Sequence, residues 1–319
     1  MGLAQSPGPA RAAETGYRAF DAKGRRVTLR EIVEAQGGAD VLLVGETHDD
    51  RVAHFVEAEL LRLVDERYGQ KSKRGTRPIA LSLEMFERDV QLVLDEYLGG
   101  LIAERHFMLS SRPWKNYVSD YRPLVEYARE QKLPVIAANA PARYVSRVTG
   151  LGPDSLRTLS PTARDWLPPL PYAPASREYK AKFRRFMQGD APAAAVPPAG
   201  ATPTQPAAPT AQAPANPHAA HGGAGFLLEA QTLRDAAMAH SITEYLREKP
   251  AALVIHVNGR FHSEERLGVA EQIKHYRPLT RVLVLTIVPG EGSNDFDAGR
   301  LGGLGDFVIL TEPASPSSF

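Results

Sequence analysis

The 319-residue chain contains no cysteine. That absence excludes disulfides, thiolate zinc sites, cysteine nucleophiles, iron–sulfur clusters and a lipid carried on cysteine. Long apolar runs are missing too: no stretch reaches the roughly 18 consecutive residues that a bilayer-spanning helix needs. Nor is there a surplus of one charge, since 38 Lys and Arg against 37 Asp and Glu leave a net +1. A counterion-driven grip on a polyanion therefore has no support, and no nucleic-acid partner is expected. The chain lacks a GxxxxGK[ST] phosphate loop, a Gly-rich dinucleotide turn and a GxSxG nucleophile elbow. Met1 to Glu14 has neither a basic n-region nor an apolar h-region, so no signal peptide is expected within it.

What is present is ordinary for a globular protein, with 43% hydrophobic and 8% aromatic residues. The length suits one large domain carrying an insert. Val41–Gly45 (VLLVG), Ile79–Glu84 (IALSLE), Pro134–Asn139 (PVIAAN), Ala251–Val257 (AALVIHV) and Arg281–Val288 (RVLVLTIV) are short runs rich in branched residues, the pattern of strands buried on both faces. Helical patterns separate them. One begins at a cap, Asp49 or Asp50, and runs to a stop at Gly69; others cover Arg88–Leu98, Pro123–Gln131 and Phe226–Glu248. Strands alternating with helices predict an α/β fold: a parallel sheet flanked by helices on both faces.

The alternation breaks after the third strand. Pro141–Asp190 is helix-like but interrupted by Pro161 and by Pro168, Pro169, Pro171 and Pro174, which predicts a smaller helical insert subdomain. Ala191–His218 then holds eight prolines and eleven alanines and no charged residue apart from His218. Such a composition builds no core and reads as a flexible linker. The expected organisation is a leader over 1–16, an α/β core over 17–140 and 226–311, the helical insert over 141–190, the Pro/Ala-rich linker over 191–225 and a disordered tail over 312–319.

In an open parallel sheet, ligands bind beyond the carboxyl ends of the strands. Strand one runs into Gly45-Glu46-Thr47-His48, strand two ends on Glu84, strand three on Asn139, and strand four runs into Asn258-Gly259-Arg260-Phe261-His262. Two carboxylates, two imidazoles and an amide on one rim suit general acid–base chemistry, or a divalent metal held by Glu46, His48, Glu84 and His262. The plainer account has Glu46 capping the next helix and Glu84 meeting Arg88. Gln231 and Asp235 stand on an otherwise apolar stripe (Leu228, Met238, Ile242, Tyr245), so that half of the helix is expected to line a polar cavity or to hydrogen-bond the rim loops. The insert carries Arg143, Tyr144, Tyr172 and Tyr179 among other aromatics and arginines, an inventory that suits haem walls, an iron ligand and propionate partners, though composition alone favours a packed amphipathic helix. His218 and His221, at the end of the linker, read as an exposed pair without function, with a metal or haem role as the alternative.

Several runs in order resemble the ChaN-like haem-binding uptake proteins of the Tiki, TraB and erythromycin-esterase-like superfamily: GETHD (Gly45 to Asp49), LEMF (Leu83 to Phe86), Trp114 through Tyr117 to Tyr121-Arg122-Pro123, AANAPARYV (Ala137 to Val145), AQTLRDAAMA (Ala230 to Ala239) and NGRFH (Asn258 to His262). The resemblance spans about Val41 to Val288. It implies a parallel α/β core with a helical subdomain, haem bound as cofacial pairs between the protomers of a homodimer with tyrosine on iron, and a place in the bacterial envelope beside haem-uptake machinery. It assigns Glu46, His48, Glu84, Asn139 and His262 to the superfamily's polar site, thought hydrolytic in some relatives, and makes Tyr144, directly after NAPAR, the leading haem tyrosine. Two functions follow as expectations: haem binding in iron acquisition, or metal-assisted hydrolysis at the rim. A scaffold with an inactive rim is the third reading. The chain departs from the family in having no lipidatable cysteine and in its enlarged Pro/Ala linker.

Overall fold

The computed structural model describes residues 16–72, 76–189, 225–290 and 296–312. Eight strands form one sheet in the order β2-β1-β8-β7-β3-β6-β4-β5. They are β1 (Tyr17–Asp21), β2 (Arg26–Val27), β3 (Val41–Glu46), β4 (Ile79–Glu87), β5 (Val135–Asn139), β6 (Leu253–Gly259), β7 (Val282–Pro289) and β8 (Phe307–Thr311). From β8 to β5 every neighbouring pair is parallel. The wholly parallel sheet expected from the sequence is corrected at one edge, because β1 runs antiparallel to both β2 and β8. A short hairpin of this kind needs no crossover helix, so it can close an edge where the α/β alternation has run out.

Burial on both faces explains the composition of the central strands. In β3, Leu42 and Val44 point into a core with Val56, Leu60 and Leu61 of the helix Arg51–Tyr68. Val41 and Leu43 point the other way, against Met238 and Ile242 of the helix Leu227–Glu248. One strand therefore seals two helical layers with its period-2 alternation. The helix boundaries follow local chemistry. Asp50 caps Arg51–Tyr68 by accepting from the Val52 and Ala53 amides, and Gly69 ends it. Thr28 and Glu31 form a reciprocal capping box on Leu29–Ala35.

After β5 come the helices Ala142–Leu151, Pro161–Arg164 and Arg177–Met187. The proline cluster at 168–174 lies in non-helical chain between the last two. Val145, Val148, Leu156 and Leu167 pack on Ala230, Leu233 and Ala237, so this layer sits against the first half of Leu227–Glu248. The Pro/Ala-rich linker, with His218 and His221, lies outside the described residues save for position 225. The leader up to 15 and the tail from 313 also lie outside them.

Candidate functional site

The carboxyl-terminal halves of β3, β4, β5 and β6 carry Glu46, Glu84, Asn139 and the turn Arg260–His262 to one end of the sheet. Glu46 is in register with Gly259 across β3 and β6, and the Gly259 amide donates to Glu84 Oε2 at 2.7 Å. A Cβ on Gly259 would lie 2.7 Å from His48 Nε2 and 3.6 Å from Glu84 Oε2. Glycine there lets His48 fold over the β6 end, between the two carboxylates.

Glu46 anchors one half. Its Oε1 meets His48 Nδ1 at 2.8 Å and accepts the Tyr121 hydroxyl. Its Oε2 lies 3.1 Å from His54 Nδ1. His54 Nδ1 is also 3.1 Å from Glu57 Oε2, and its Nε2 donates to the His48 carbonyl at 3.1 Å. The same carbonyl accepts Asn116 Nδ2 at 2.8 Å, and Trp114 stands edge-on to the His48 ring at 4.5 Å. Burial would push the Glu46 carboxyl up, but His48 and His54 overcome it and hold it well below the usual range. Burial would also depress His54, which Glu57 and Glu46 instead raise to about 12. Glu57, desolvated and facing Glu46, is pushed well above the ordinary carboxyl value.

Glu84 anchors the other half. His262 lies between Glu84 Oε1 at 3.3 Å and Asp235 Oδ1 at 2.6 Å, with Gln231 Nε2 3.0 Å from its Nε2. Burial opposes charge on His262, yet the two carboxylates raise it to about 9. Against the same desolvation, His262, His48 and the Gly259 amide bring Glu84 down to about 2. Asp235 is raised by burial. Asn139 is buried, with no hydrogen-bond partner for its Oδ1 among the described residues. His48, with 16% of its side chain exposed, is the most accessible of these groups, since Glu46, Glu84 and His262 are almost fully enclosed.

Glu46, His48, Glu84 and His262 thus meet at the ends of β3, β4 and β6, Gln231 and Asp235 join them through His262, and Asn139 stands in register with Glu87 at the end of β5. The four metal candidates Glu46, His48, Glu84 and His262 form two ion pairs rather than one ligand ring. The set whose donor atoms all lie within 4.8 Å of one another, among the described residues, is Glu46, His54 and Glu57. The plainer roles are not what is found: Asp50 caps the helix after β3, and Arg88 donates to Ser241 Oγ at 2.6 Å.

Tyr144, Arg143, Tyr172 and Tyr179 do not form one group. Tyr144 is half-buried at the start of Ala142–Leu151, with the Arg143 guanidinium 4.5 Å from its ring centroid, and Arg143 also reaches Asp89 Oδ2 at 2.5 Å. Tyr172 donates its hydroxyl to the Glu229 carbonyl at 3.0 Å. Tyr179 is fully buried, where desolvation and Asp235 push its phenol well up.

Sequence reading missed His54, Glu57 and Lys182. The Lys182 ammonium is buried and donates to the carbonyls of Phe261 at 2.8 Å and Glu264 at 3.0 Å, tying Arg177–Met187 to the turn that carries His262. A His and a Glu three apart near a helix start, His54 and Glu57, were a visible spacing; nothing in the sequence marks Lys182.

A mainly parallel, helix-flanked sheet with paired carboxylates and imidazoles at its strand ends defines the chain as an α/β protein of the open-sheet class. Residues 32–273 match the model of the family described as haem-binding uptake, Tiki superfamily, ChaN, and the chain belongs to that family. Among solved structures it is similar to one titled "Cofacial heme binding to ChaN of Campylobacter jejuni", at 15% identity and TM-score 0.63, covering 94% of this chain and 98% of that one. Two more remote likenesses are the type III effector HopBA1 (10% identity, TM-score 0.45, 89% and 92% covered) and a Bacillus cereus protein (9%, 0.45, 95% and 96%). No curated protein matches.

Proposed function

We propose that the chain binds haem as part of bacterial iron acquisition, in the envelope, as a homodimer that encloses the cofactor and passes it to or from uptake machinery. Family membership over residues 32–273 gives the class. The observation that carries the reading here is Tyr144. Of the three tyrosines in question, Tyr172 spends its hydroxyl on a backbone carbonyl and Tyr179 is sealed in the core, while Tyr144 is partly exposed beside a cation. A phenolate is a hard anionic donor that favours ferric iron, and the Arg143 charge next to it favours an anionic oxygen or a propionate. The residues fit a haem that supplies an iron centre for the phenol to ligate. This chain supplies the donor oxygen and the adjacent guanidinium, and Tyr144 packs on the same buried cluster as Leu159, Leu170 and Tyr172.

The test is a hemin titration followed by absorption, with size-exclusion at each ratio, on wild type and Tyr144→Phe. Saturable binding, a shift to dimer and a changed spectrum in the variant are expected. No Soret change on adding hemin to the wild type would end this reading.

A second reading is favoured by the Asp235–His262–Glu84 chain. An imidazole held at about 9 between two carboxylates is a proton donor at neutral pH, and Asn139 offers an amide oxygen with no partner among the described residues. We propose acid–base hydrolysis there as the alternative activity. Ester or peptide turnover that disappears in His262→Gln, with hemin binding intact, is its expected signature.

A further inference from the structure

Glu46, His54 and Glu57 present a polar arrangement that neither the haem reading nor the hydrolase reading uses in full. The His48 carbonyl can only accept, so the proton of the neutral His54 ring sits on Nε2, which donates to it at 3.1 Å. The Nδ1 lone pair then faces Glu46 Oε2 and Glu57 Oε2, each 3.1 Å away. With the ring neutral, three acceptor atoms converge with no proton between them; with the ring charged, its Nδ1–H is shared by the two carboxylates. Two further facts point to a cation. Glu46 Oε2 and Glu57 Oε1 are buried oxygens with no hydrogen-bond partner among the described residues. All three residues are at most 4% exposed, so water does not neutralise them.

We infer that Glu46, His54 and Glu57 hold a divalent transition-metal ion of the zinc or manganese kind, one carboxylate behind His48. Zinc bonds of roughly 2.0–2.2 Å to N and O place neighbouring ligands about 3.0–3.6 Å apart; His54 Nδ1 stands 3.1 Å from each carboxylate oxygen, and the three donors lie within 4.8 Å of one another. One imidazole and two carboxylates is a borderline-to-hard set that suits zinc or manganese and has no thiolate to draw copper. The outer contacts are those a ligated site requires. His54 is oriented by a backbone carbonyl through its other nitrogen, and Glu46 accepts the Tyr121 hydroxyl through its other oxygen. Enclosure makes this a structural ion. It fixes Glu46, and Glu46 Oε1 in turn fixes His48 at 2.8 Å, so the ion sets the rim's most accessible imidazole. The competing occupant is protons: an imidazolium on His54 and a neutral acid on Glu57.

The inference is independent of the haem reading and is tested apart from it, without hemin. Full-length protein is stripped with a chelator, then titrated with zinc chloride and with manganese chloride by calorimetry, while metal content is measured on protein as purified. One ion per chain is expected, with affinity lowered at least about tenfold in Glu57→Gln and in His54→Gln, and unchanged in His262→Gln. Binding of neither ion would overturn the inference and leave protons as the occupant. Loss in His262→Gln with retention in Glu57→Gln would move the ion to the rim and overturn it equally. Should the ligand variants fail to fold, X-ray absorption on cobalt-loaded wild type decides. One imidazole in the coordination shell is expected, and two would place the metal on His48 and His262.

Discussion

Replacing His262 with Gln should flatten the alkaline limb of the protein's stability curve. His262 is buried between Glu84 and Asp235 and its value is raised from 6.5 to about 9. A group whose folded value lies above its unfolded one stabilises fully below the unfolded value and loses that contribution as pH rises through the folded one. The window is therefore pH 6.5 to 9. At roughly 1.4 kcal/mol per unit, the contribution is about 3 kcal/mol. The depression of Glu84 to about 2 describes the same ion pair seen from its partner and is not added; its own loss falls between pH 4.5 and 2. His48 and His54 are also raised, so the wild type has other reasons to weaken in alkali, and the difference between wild type and His262→Gln isolates this imidazole. Urea unfolding at pH 6, 7, 8 and 9 and constant ionic strength measures it. Wild type should lose about 3 kcal/mol more than the variant across that range, although the variant is weaker at pH 6 because two carboxylates lose their cation. Parallel curves would refute the pairing of His262 with Glu84 and Asp235 in the folded protein.

Gly259→Ala places a methyl 2.7 Å from His48 Nε2, so the imidazole must leave its position; a loss of about 1–3 kcal/mol in urea and a shifted His48 proton resonance are expected. Lys182→Met strands the carbonyls of Phe261 and Glu264, and about 1–3 kcal/mol for each orphaned group should appear as faster amide exchange in Arg177–Met187 and the His262 turn. Asp50→Ala removes the cap of Arg51–Tyr68 and should cost about 1 kcal/mol, read as a lower urea midpoint at unchanged slope. Arg157→Ala breaks only an exposed pair with Asp154, and a change within about 0.5 kcal/mol is expected.

Runs such as VLLVG and AALVIHV disclosed the strands because burial on both faces favours apolar residues at nearly every position, His256 being buried against Ser82 Oγ at 2.9 Å, and the polar residues that follow them disclosed the rim. The antiparallel edge was harder to read. β1 is only half-buried along Tyr17–Asp21, and β2 is two residues long, too short for any periodic signal. β8, buried throughout, is an apolar run preceded only by the four-residue helix Ala298–Leu301, too short to show a strand–helix alternation. Asp235 and Gln231 were visible as polar breaks in an apolar stripe, and the structure gives the reason: one turn of Leu227–Glu248 faces His262 instead of the core.

Charge compensation within the crevice was not legible, because it depends on which loop ends meet in space. Sequence spacing put Glu46 next to His48 and left Glu84 beside Arg88. The fold instead pairs Glu84 with His262, 178 positions away in number but one strand away in the sheet. The same register brings His54 and Glu57, a helical His-x-x-Glu, behind Glu46. Two carboxylates so close cannot both remain charged without a cation, and imidazolium or metal are the two cations the geometry admits. The rim is therefore not a set of independent acids and bases. His48, His54 and His262 are each held between carboxylates, and changing any one member should shift the protonation of the rest, as the pH comparison with His262→Gln and the metal titration of Glu57→Gln each measure for one half.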